Sequence, residues 1–228
     1  MPHAKTQRRK DFLVFCDRKP GNKALKRWFD LLAIAMVLPL LFPIFVLLWC
    51  VVRWYLGAPV FFAQLRPGLG GKPFHVVKFR TMTNCCDEVG CLLPDAQRLT
   101  RLGAFLRATS LDELPELINV ITGKMSIVGP RPLLMQYLGR YSPEQARRHE
   151  VKPGITGWAQ VNGRNSISWE DKFRLDVWYV DNWSFMLDLK IIAMTLLKVI
   201  KREGISQEGE ATAAEFMPHA KSQRCKDR

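Results

Sequence analysis

The sequence is poor in the features that usually announce a soluble enzyme or a secreted domain. Its six cysteines are Cys16, Cys50, Cys85, Cys86, Cys91 and Cys225. Two are neighbours and one lies in an apolar run, which argues against a disulfide framework and for free thiols in a reducing compartment. Cys85, Cys86 and Cys91 with His75 lack the paired Cys-x-x-Cys spacing of a structural zinc site. Gly68, Gly70 and Gly71 match neither Gly-x-Gly-x-x-Gly nor a P-loop. No nucleic-acid-binding module appears, so no nucleic acid partner is expected. Acidic residues are scarce: 21 Asp and Glu stand against 34 Lys and Arg, a net charge of +13 over 228 residues. That excess suggests a polyanionic partner, and with nucleic acid set aside an anionic membrane face or phosphorylated substrates remain. At 24% charged residues the chain is no disordered polycation and is long enough for one ordinary domain with a sizeable core.

What is present begins with a basic arm, residues 1–27. Residues 31–52 then carry no charged side chain. About 20 apolar residues suffice to cross a bilayer as a helix. The run starts late and lacks a small-residue cleavage site, so it does not read as a signal peptide. Pro39 and Pro43 lie in its middle, where each removes a backbone donor. Lys26 and Arg27 precede it and Arg53 and Arg66 follow, which assigns both ends to the cytoplasm. A helix that enters the membrane, breaks near Pro43 and returns to the same face satisfies both observations. Asp30 reads as an interfacial charge paired with Lys26 and Arg27.

Two β-rich runs flank the glycine-rich turn at 67–71 and predict a hairpin. In the second run Lys78 and Arg80 alternate with Val77 and Phe79, so the two cations share a face. Residues 95–107 have helical spacing, as one amphipathic helix or two short ones. Ser110 and Glu113 fit the Ser-x-x-Glu capping box that opens a helix. Asp112 would then be the second helical residue, where the terminal field favours its ionised form. Pro115 resists this, since it would disturb the first turn. Taken alone, an Asp-Glu pair at a helix start is explained by dipole compensation. Gly129-Pro-Arg-Pro132 is a rigid turn able to present Arg131 to an anion. Residues 152–164 read as a glycine-rich loop with a short extended piece, and residues 186–202 as a basic amphipathic helix for a membrane interface or a core. Residues 217–228 nearly repeat residues 1–12, and two terminal copies build no solenoid.

Taken in order, several blocks resemble the bacterial sugar transferase family, the small monotopic phosphoglycosyl transferases. They are Lys26-Arg-Trp-Phe-Asp30, Phe61-Phe-Ala-Gln-Leu-Arg66, Lys78-Phe-Arg-Thr-Met82, Leu111-Asp-Glu-Leu-Pro115, Gly129-Pro-Arg-Pro132 and Pro153-Gly-Ile-Thr-Gly157 with Ala159-Gln-Val-Asn-Gly-Arg164. The resemblance implies an α+β, mostly helical, monotopic membrane protein with a re-entrant membrane helix, amphipathic interfacial helices and a small β-hairpin. Its expected parts are the arm (1–27), the re-entrant helix (28–56), a cytoplasmic catalytic domain (57–205) and a tail (206–228). The family's helix breaks at a Ser-Pro pair, matched here by Phe42-Pro43 without the serine, with Pro39 added.

The resemblance also implies the chemistry. Asp112 is the expected nucleophile on the β-phosphate of a UDP-sugar, releasing UMP, and undecaprenyl phosphate the expected acceptor. Mg²⁺ is the expected cofactor, bound in part by Asp112. Glu113 completes the dyad, in acid–base chemistry or site electrostatics. Lys78, Arg80, Arg107 and Arg131 are the expected phosphate contacts, and membrane phospholipids are further partners. Ser184-Phe-Met-Leu-Asp188 and Ser206-Gln-Glu-Gly-Glu-Ala-Thr212 are most similar to the minimal-domain members of bacterial N-glycosylation. They imply a donor that is UDP-N,N′-diacetylbacillosamine or a related N-acetylated amino sugar, and the family resemblance implies an inner-membrane location on the cytoplasmic face. The alternatives are a hexose 1-phosphate transferase of capsule or exopolysaccharide synthesis, a non-enzymatic basic membrane protein, and a bitopic scaffold whose dyad only caps a helix.

Overall fold

The computed structural model describes residues 23–88, 90–163, 167–201 and 216. Most of the basic arm, almost all of the tail, Arg164, Cys16 and Cys225 lie outside the described residues.

Helix α1, Lys23–Leu56, is 34 residues long. It takes in the end of the expected arm. The expected break near Pro43 does not interrupt it, for it is helical through both Pro39 and Pro43. A proline costs a helix one donor and a local clash; a long helix tolerates this when the turns on either side are held, and here they are. Ile34 packs with Phe74, Val76, Val120 and Met125. Leu48 and Val52 pack with Val60, Phe79 and Leu106. Between these anchors, residues 35–44 are exposed except for the half-buried Leu41. Both flanks of α1 therefore rest on one domain, and the proline-bearing middle stands clear of it.

The charges expected at the start of the membrane run turn inward instead. Asp30 is buried and accepts from Ser126 Oγ at 2.8 Å and from the Ile127 N–H at 3.2 Å. Arg27 donates to the carbonyls of Val120 and Ile121. Lys26 pairs with the buried Asp188, which also accepts from Tyr179 and Trp183. The expected interfacial pairing of Asp30 with Lys26 and Arg27 does not form, because a buried carboxylate is best served by the donors of the strand beside it.

The predicted hairpin is present. Strands β1, Phe61–Pro67, and β2, Pro73–Phe79, pair antiparallel from Phe61 opposite Phe79 to Pro67 opposite Pro73. Gly70 and Gly71 take positive φ in the turn, which glycine adopts without penalty. The free edge of β2 is closed by one side chain: Asn119 accepts from the Val77 N–H at 3.3 Å and donates to the His75 carbonyl at 2.7 Å. An edge satisfied this way is no template for another chain.

Residues 95–107 form two helices, α2 (Asp95–Arg98) and α3 (Arg101–Ala108), with the Thr100 side chain capping the second on the Gly103 N–H. Helix α4, Glu116–Ile121, leads into β3, Ser126–Val128, which pairs in parallel with β4, Gly154–Thr156. The backbones around β3 and β4 nearly touch: a Cβ at Gly154 would lie 2.1 Å from the Gly129 nitrogen and one at Gly157 2.2 Å from the Gly129 oxygen. A capping box does occur, but at Ser142 and Gln145 of the short helix α5, Pro143–Ala146. The layer is completed by α6 (Trp158–Val161), α7 (Trp169–Asp181) and α8 (Phe185–Lys201). On α8 Ile191 is fully buried while Met186, Leu196 and Leu197 are exposed. The helix serves a core and keeps an apolar outer face.

Gly103 shows how tightly the domain closes around its site. A Cβ there would lie 1.9 Å from the Thr81 carbonyl oxygen. Gly103→Ala must push α3 away from Thr81, the residue whose hydroxyl accepts from Arg107 at 3.1 Å. We expect it to cost about 3 kcal/mol of stability, the upper range for an overpacked site. Thermal or denaturant unfolding of the detergent-solubilised protein measures this, and an unchanged midpoint would contradict the packing.

Candidate active site

The Asp112–Glu113 segment folds differently from a helix start. Ser110 sits in the left-handed region at φ 56° and its side chain does not cap the next turn. Leu111–Glu113 is a single 3₁₀ turn, and α4 begins only after Pro115. The expected capping box at Ser110 and Glu113 does not form, because the Glu113 carboxylate has stronger partners elsewhere. Pro115 flanks the start of α4, where its missing N–H costs nothing. Asp112 therefore does not sit in the first turn of an α-helix, and the helix field cannot be what sets its charge.

Burial sets it first, and the charge of the ion-paired Glu113 next. Glu113 is bonded to Arg131 and to Lys78, the latter at 2.7 Å. Lys78 also reaches the buried Glu116 at 3.1 Å. Burial alone would raise the Glu113 carboxyl, but the charges of Arg131 and Lys78 outweigh it and hold Glu113 well below the usual carboxylate range. Glu113 in turn pushes Arg131 upward. Asp112 goes the other way. Burial raises its pKa first, the Glu113 charge raises it further, and Lys78, Arg131 and Arg107 oppose both. Among the described residues the Asp112 carboxylate, only 8% exposed, has no hydrogen-bond or ion-pair partner. The two neighbours are thus unlike: one is a pinned, permanent anion, the other a buried carboxylate with open lone pairs.

The structure brings Lys78 and Arg131 to the dyad and places Arg107 near enough to act on the Asp112 charge. It takes Arg80 elsewhere. The Arg80 guanidinium is buried on the carbonyls of Leu56, Gly57 and Ala58, where it caps the end of α1. The alternation expected of Lys78 and Arg80 fails because β2 ends at Phe79. Pro39 and Pro43 lie on the exposed middle of α1. Glu116 escaped the sequence reading, although its place three residues after Glu113 was a usable signal. Arg148 escaped it too. Its guanidinium holds the Arg131 carbonyl at 2.7 Å and is itself paired with the buried Asp176 at 2.7 Å, so the turn that presents Arg131 is braced from behind.

Among the described residues no three His, Cys, Asp or Glu side chains gather into a metal-binding group. A magnesium ion needs less than that when its substrate supplies phosphate oxygens, since one or two carboxylates then suffice. Glu113 is committed to its cations, so Asp112 is the carboxylate left with acceptor capacity. Among the described residues Asp112 is therefore the side chain that could hold such an ion together with substrate phosphate oxygens.

Residues 21–202 match the model of the bacterial sugar transferase family. The chain belongs to that family. An uncharacterized sugar transferase of Bacillus subtilis (strain 168), EpsL, is 60% identical over 84% of this chain and 95% of its own length. A UDP-glucose:undecaprenyl-phosphate glucose-1-phosphate transferase of Klebsiella pneumoniae is 41% identical over 78% of this chain and 40% of its own. An undecaprenyl-phosphate galactose phosphotransferase of Salmonella typhimurium is 36% identical over 82% and 42%. The chain thus spans less than half of these last two. Neither name supports the diacetylbacillosamine donor that the sequence resemblance implied. The apolar N-terminal helix α1, long enough to cross a membrane, makes this sugar transferase a membrane-associated one.

The charge asymmetry of the dyad is directly measurable. Asp112 titrates above an ordinary aspartate and Glu113 below an ordinary glutamate. Glu113→Gln removes a negative neighbour, so the Asp112 pKa falls. Arg131→Gln removes a cation, so it rises. Carboxyl ¹³C shifts of labelled protein followed against pH check both signs, and movement in the opposite directions would overturn the assignment.

Proposed function

We propose that this sugar transferase moves a hexose 1-phosphate from a UDP-hexose to undecaprenyl phosphate and releases UMP. The observation that carries the reading is the buried, unpartnered Asp112 carboxylate beside cations that Glu113 holds in place. The glucose and galactose activities in the names of its relatives support a hexose donor over diacetylbacillosamine.

The residues divide the work as follows. An Asp112 oxygen attacks the β-phosphorus of the donor, and the phosphosugar is held on Asp112 while UMP departs. A phosphate oxygen of the lipid then attacks that phosphorus and frees the carboxylate. A covalent intermediate splits one difficult transfer into two displacements. Lys78, Arg107 and Arg131 stabilise charge on the transferring phosphoryl group, where fixed cations in a partly desolvated site are most effective. Glu113 serves electrostatically: it orients Lys78 and Arg131, and its firmly ionised carboxylate is a poor proton donor. Asp112 and the donor diphosphate would hold the magnesium ion, which supplies charge neutralisation of the diphosphate when bound. Arg80 supports the site from the end of α1.

We read α1 as re-entrant on the cytoplasmic face of the bacterial inner membrane, turned back at its two prolines without a break in the helix. Its two flanks pack on the same domain and its exposed apolar middle carries both prolines, which suits a helix that dips into one leaflet. The apolar outer face of α8 suits the membrane interface. A lipid acceptor then need not be extracted into water.

Intact mass spectrometry of the protein with UDP-glucose or UDP-galactose and Mg²⁺, without lipid, is expected to show a phosphohexose adduct on Asp112. Asp112→Asn abolishes the adduct and lowers UMP release by about 10³-fold or more, as loss of a covalent nucleophile does. Turnover that survives Asp112→Asn sinks the mechanism. Turnover of UDP-N,N′-diacetylbacillosamine in place of both hexoses sinks the donor assignment.

A further inference from the structure

The hairpin face that carries Lys78 also carries a cation the mechanism has not used. Residues two apart on a strand share a face, and Phe62 lies opposite Lys78 in the ladder. Phe62, Gln64 and Arg66 are therefore on the Lys78 side. This face lines a cavity of about 80 Å³ that Glu116 and Arg131 help to close. Arg66, Lys78 and Arg131 all look into it.

Two of these cations are matched. Lys78 pairs with Glu113 and Glu116, and Arg131 pairs with Glu113. Arg66 is different. Among the described residues its guanidinium makes one side-chain hydrogen bond, to Gln64 Oε1 at 2.6 Å, and no carboxylate lies within ion-pairing distance. It is half-buried. Burial, and next the Arg131 charge, push its pKa down, and the Glu116 charge, beyond ion-pairing distance, opposes them without reversing the shift. A guanidinium carries five N–H donors, and desolvating a charge without a counter-ion is costly. A neutral amide holds Arg66 in orientation and leaves most of its donors for an anion.

We propose that Arg66 anchors a second phosphate subsite in this cavity, and that the subsite is used twice in each turnover. The proposal rests on the sugar 1-phosphate transfer reading and deepens it. In the first displacement an Asp112 oxygen bonds to the β-phosphorus, and the bond from that phosphorus to the bridging oxygen breaks. The electron pair leaves on the UMP phosphate. In the second, an oxygen of the lipid phosphate bonds to the same phosphorus, the bond to Asp112 breaks, and the pair returns to the carboxylate. No net proton is needed in either step. In-line displacement places the entering and leaving groups on opposite sides of phosphorus. Asp112 attacks in one step and leaves in the other, from a fixed position. The UMP phosphate must therefore leave from the place that the lipid phosphate later enters. Lys78 and Arg131 act on the charge of Asp112 and also line the cavity. The reacting phosphoryl group lies against them on the Asp112 side, and the exchanging phosphate lies beyond them, on Arg66.

The test compares full-length wild type, Arg66→Gln and Arg66→Lys in detergent or nanodiscs. UMP binding is measured by calorimetry without donor. UMP release from a UDP-hexose is measured without acceptor, and transfer from the donor-loaded enzyme to undecaprenyl phosphate separately. We expect Arg66→Gln to weaken UMP binding and to slow both half-reactions, each by about tenfold or more, the scale of a lost charge-assisted pair. Arg66→Lys recovers part of each, and the melting temperature of both variants stays near wild type. Slowing of one half-reaction alone makes the site a donor site or an acceptor site and overturns double use. Slowing of neither overturns the subsite. If the wild type releases no UMP from any UDP-hexose, the transfer reading itself fails. Inorganic phosphate binding then still decides the subsite: weaker binding to Arg66→Gln supports it, and equal binding overturns it.

Discussion

Three segments far apart in the chain meet on the carboxylate of Glu113. Strand β2 sends Lys78, the Gly-Pro-Arg-Pro turn sends Arg131, and the 3₁₀ turn supplies Glu113 itself. Two cations on one mostly buried carboxylate keep it ionised, and an ionised neighbour is costly for Asp112. The same contacts that stabilise the fold therefore set the state of the residue beside them. This explains why the pair is not interchangeable. Glu113 spends its lone pairs on structure, and Asp112 keeps its own. Arg131 can serve both because Arg148 holds its backbone and Asp176 holds Arg148. Such a buried pair is weak evidence of net stabilisation; here it gives the turn one fixed position.

Much of this was legible in the residues. The glycine-rich turn between two β-rich runs gave the hairpin, and helical spacing marked residues 95–107 as helical, although the chain breaks at Leu99 and Thr100 while Gly103 lies inside α3. Lys78, Asp112, Glu113 and Arg131 were named from sequence and are gathered at one place. What failed did so for identifiable reasons. The capping box at Ser110 is a local pattern, and tertiary ion pairs drew Glu113 away from it. The alternation of Lys78 and Arg80 holds only inside a strand, and β2 stops one residue too early for Arg80. Asp30 looked like an interfacial charge because its partners, Ser126 and Ile127, are remote in sequence. Arg66 looked like a flanking cation of the membrane run, since the register that sets it beside Lys78 exists only once the hairpin has formed.

The couplings between α1 and the domain suggest why these particular residues are charged. Arg27 reaches from the start of α1 to the last carbonyls of α4, while Glu116 at the start of α4 pairs with Lys78. Arg80, two residues beyond Lys78, reaches from the end of β2 to the last carbonyl of α1, Leu56, and to those of Gly57 and Ala58 just after it. Both ends of the apolar helix are thus tied, through one helix and one strand, to the lysine that organises the dyad. Hydrogen bonds to charged groups are worth more than neutral ones, and all of these but the exposed Arg27–Ile121 bond are partly buried, so a shift of the helix disturbs Lys78. On the reading that the acceptor is a lipid phosphate, this geometry has a purpose. The bilayer fixes the depth of the lipid headgroup, and on the re-entrant reading proposed for α1 its exposed middle is held in the same bilayer. A rigid path from α1 through β2 to Lys78 then fixes the height of Asp112 above the membrane. A nucleophile whose partner arrives at a set depth gains more from a rigid mount than from a mobile one, because orientation is already achieved when the lipid diffuses in.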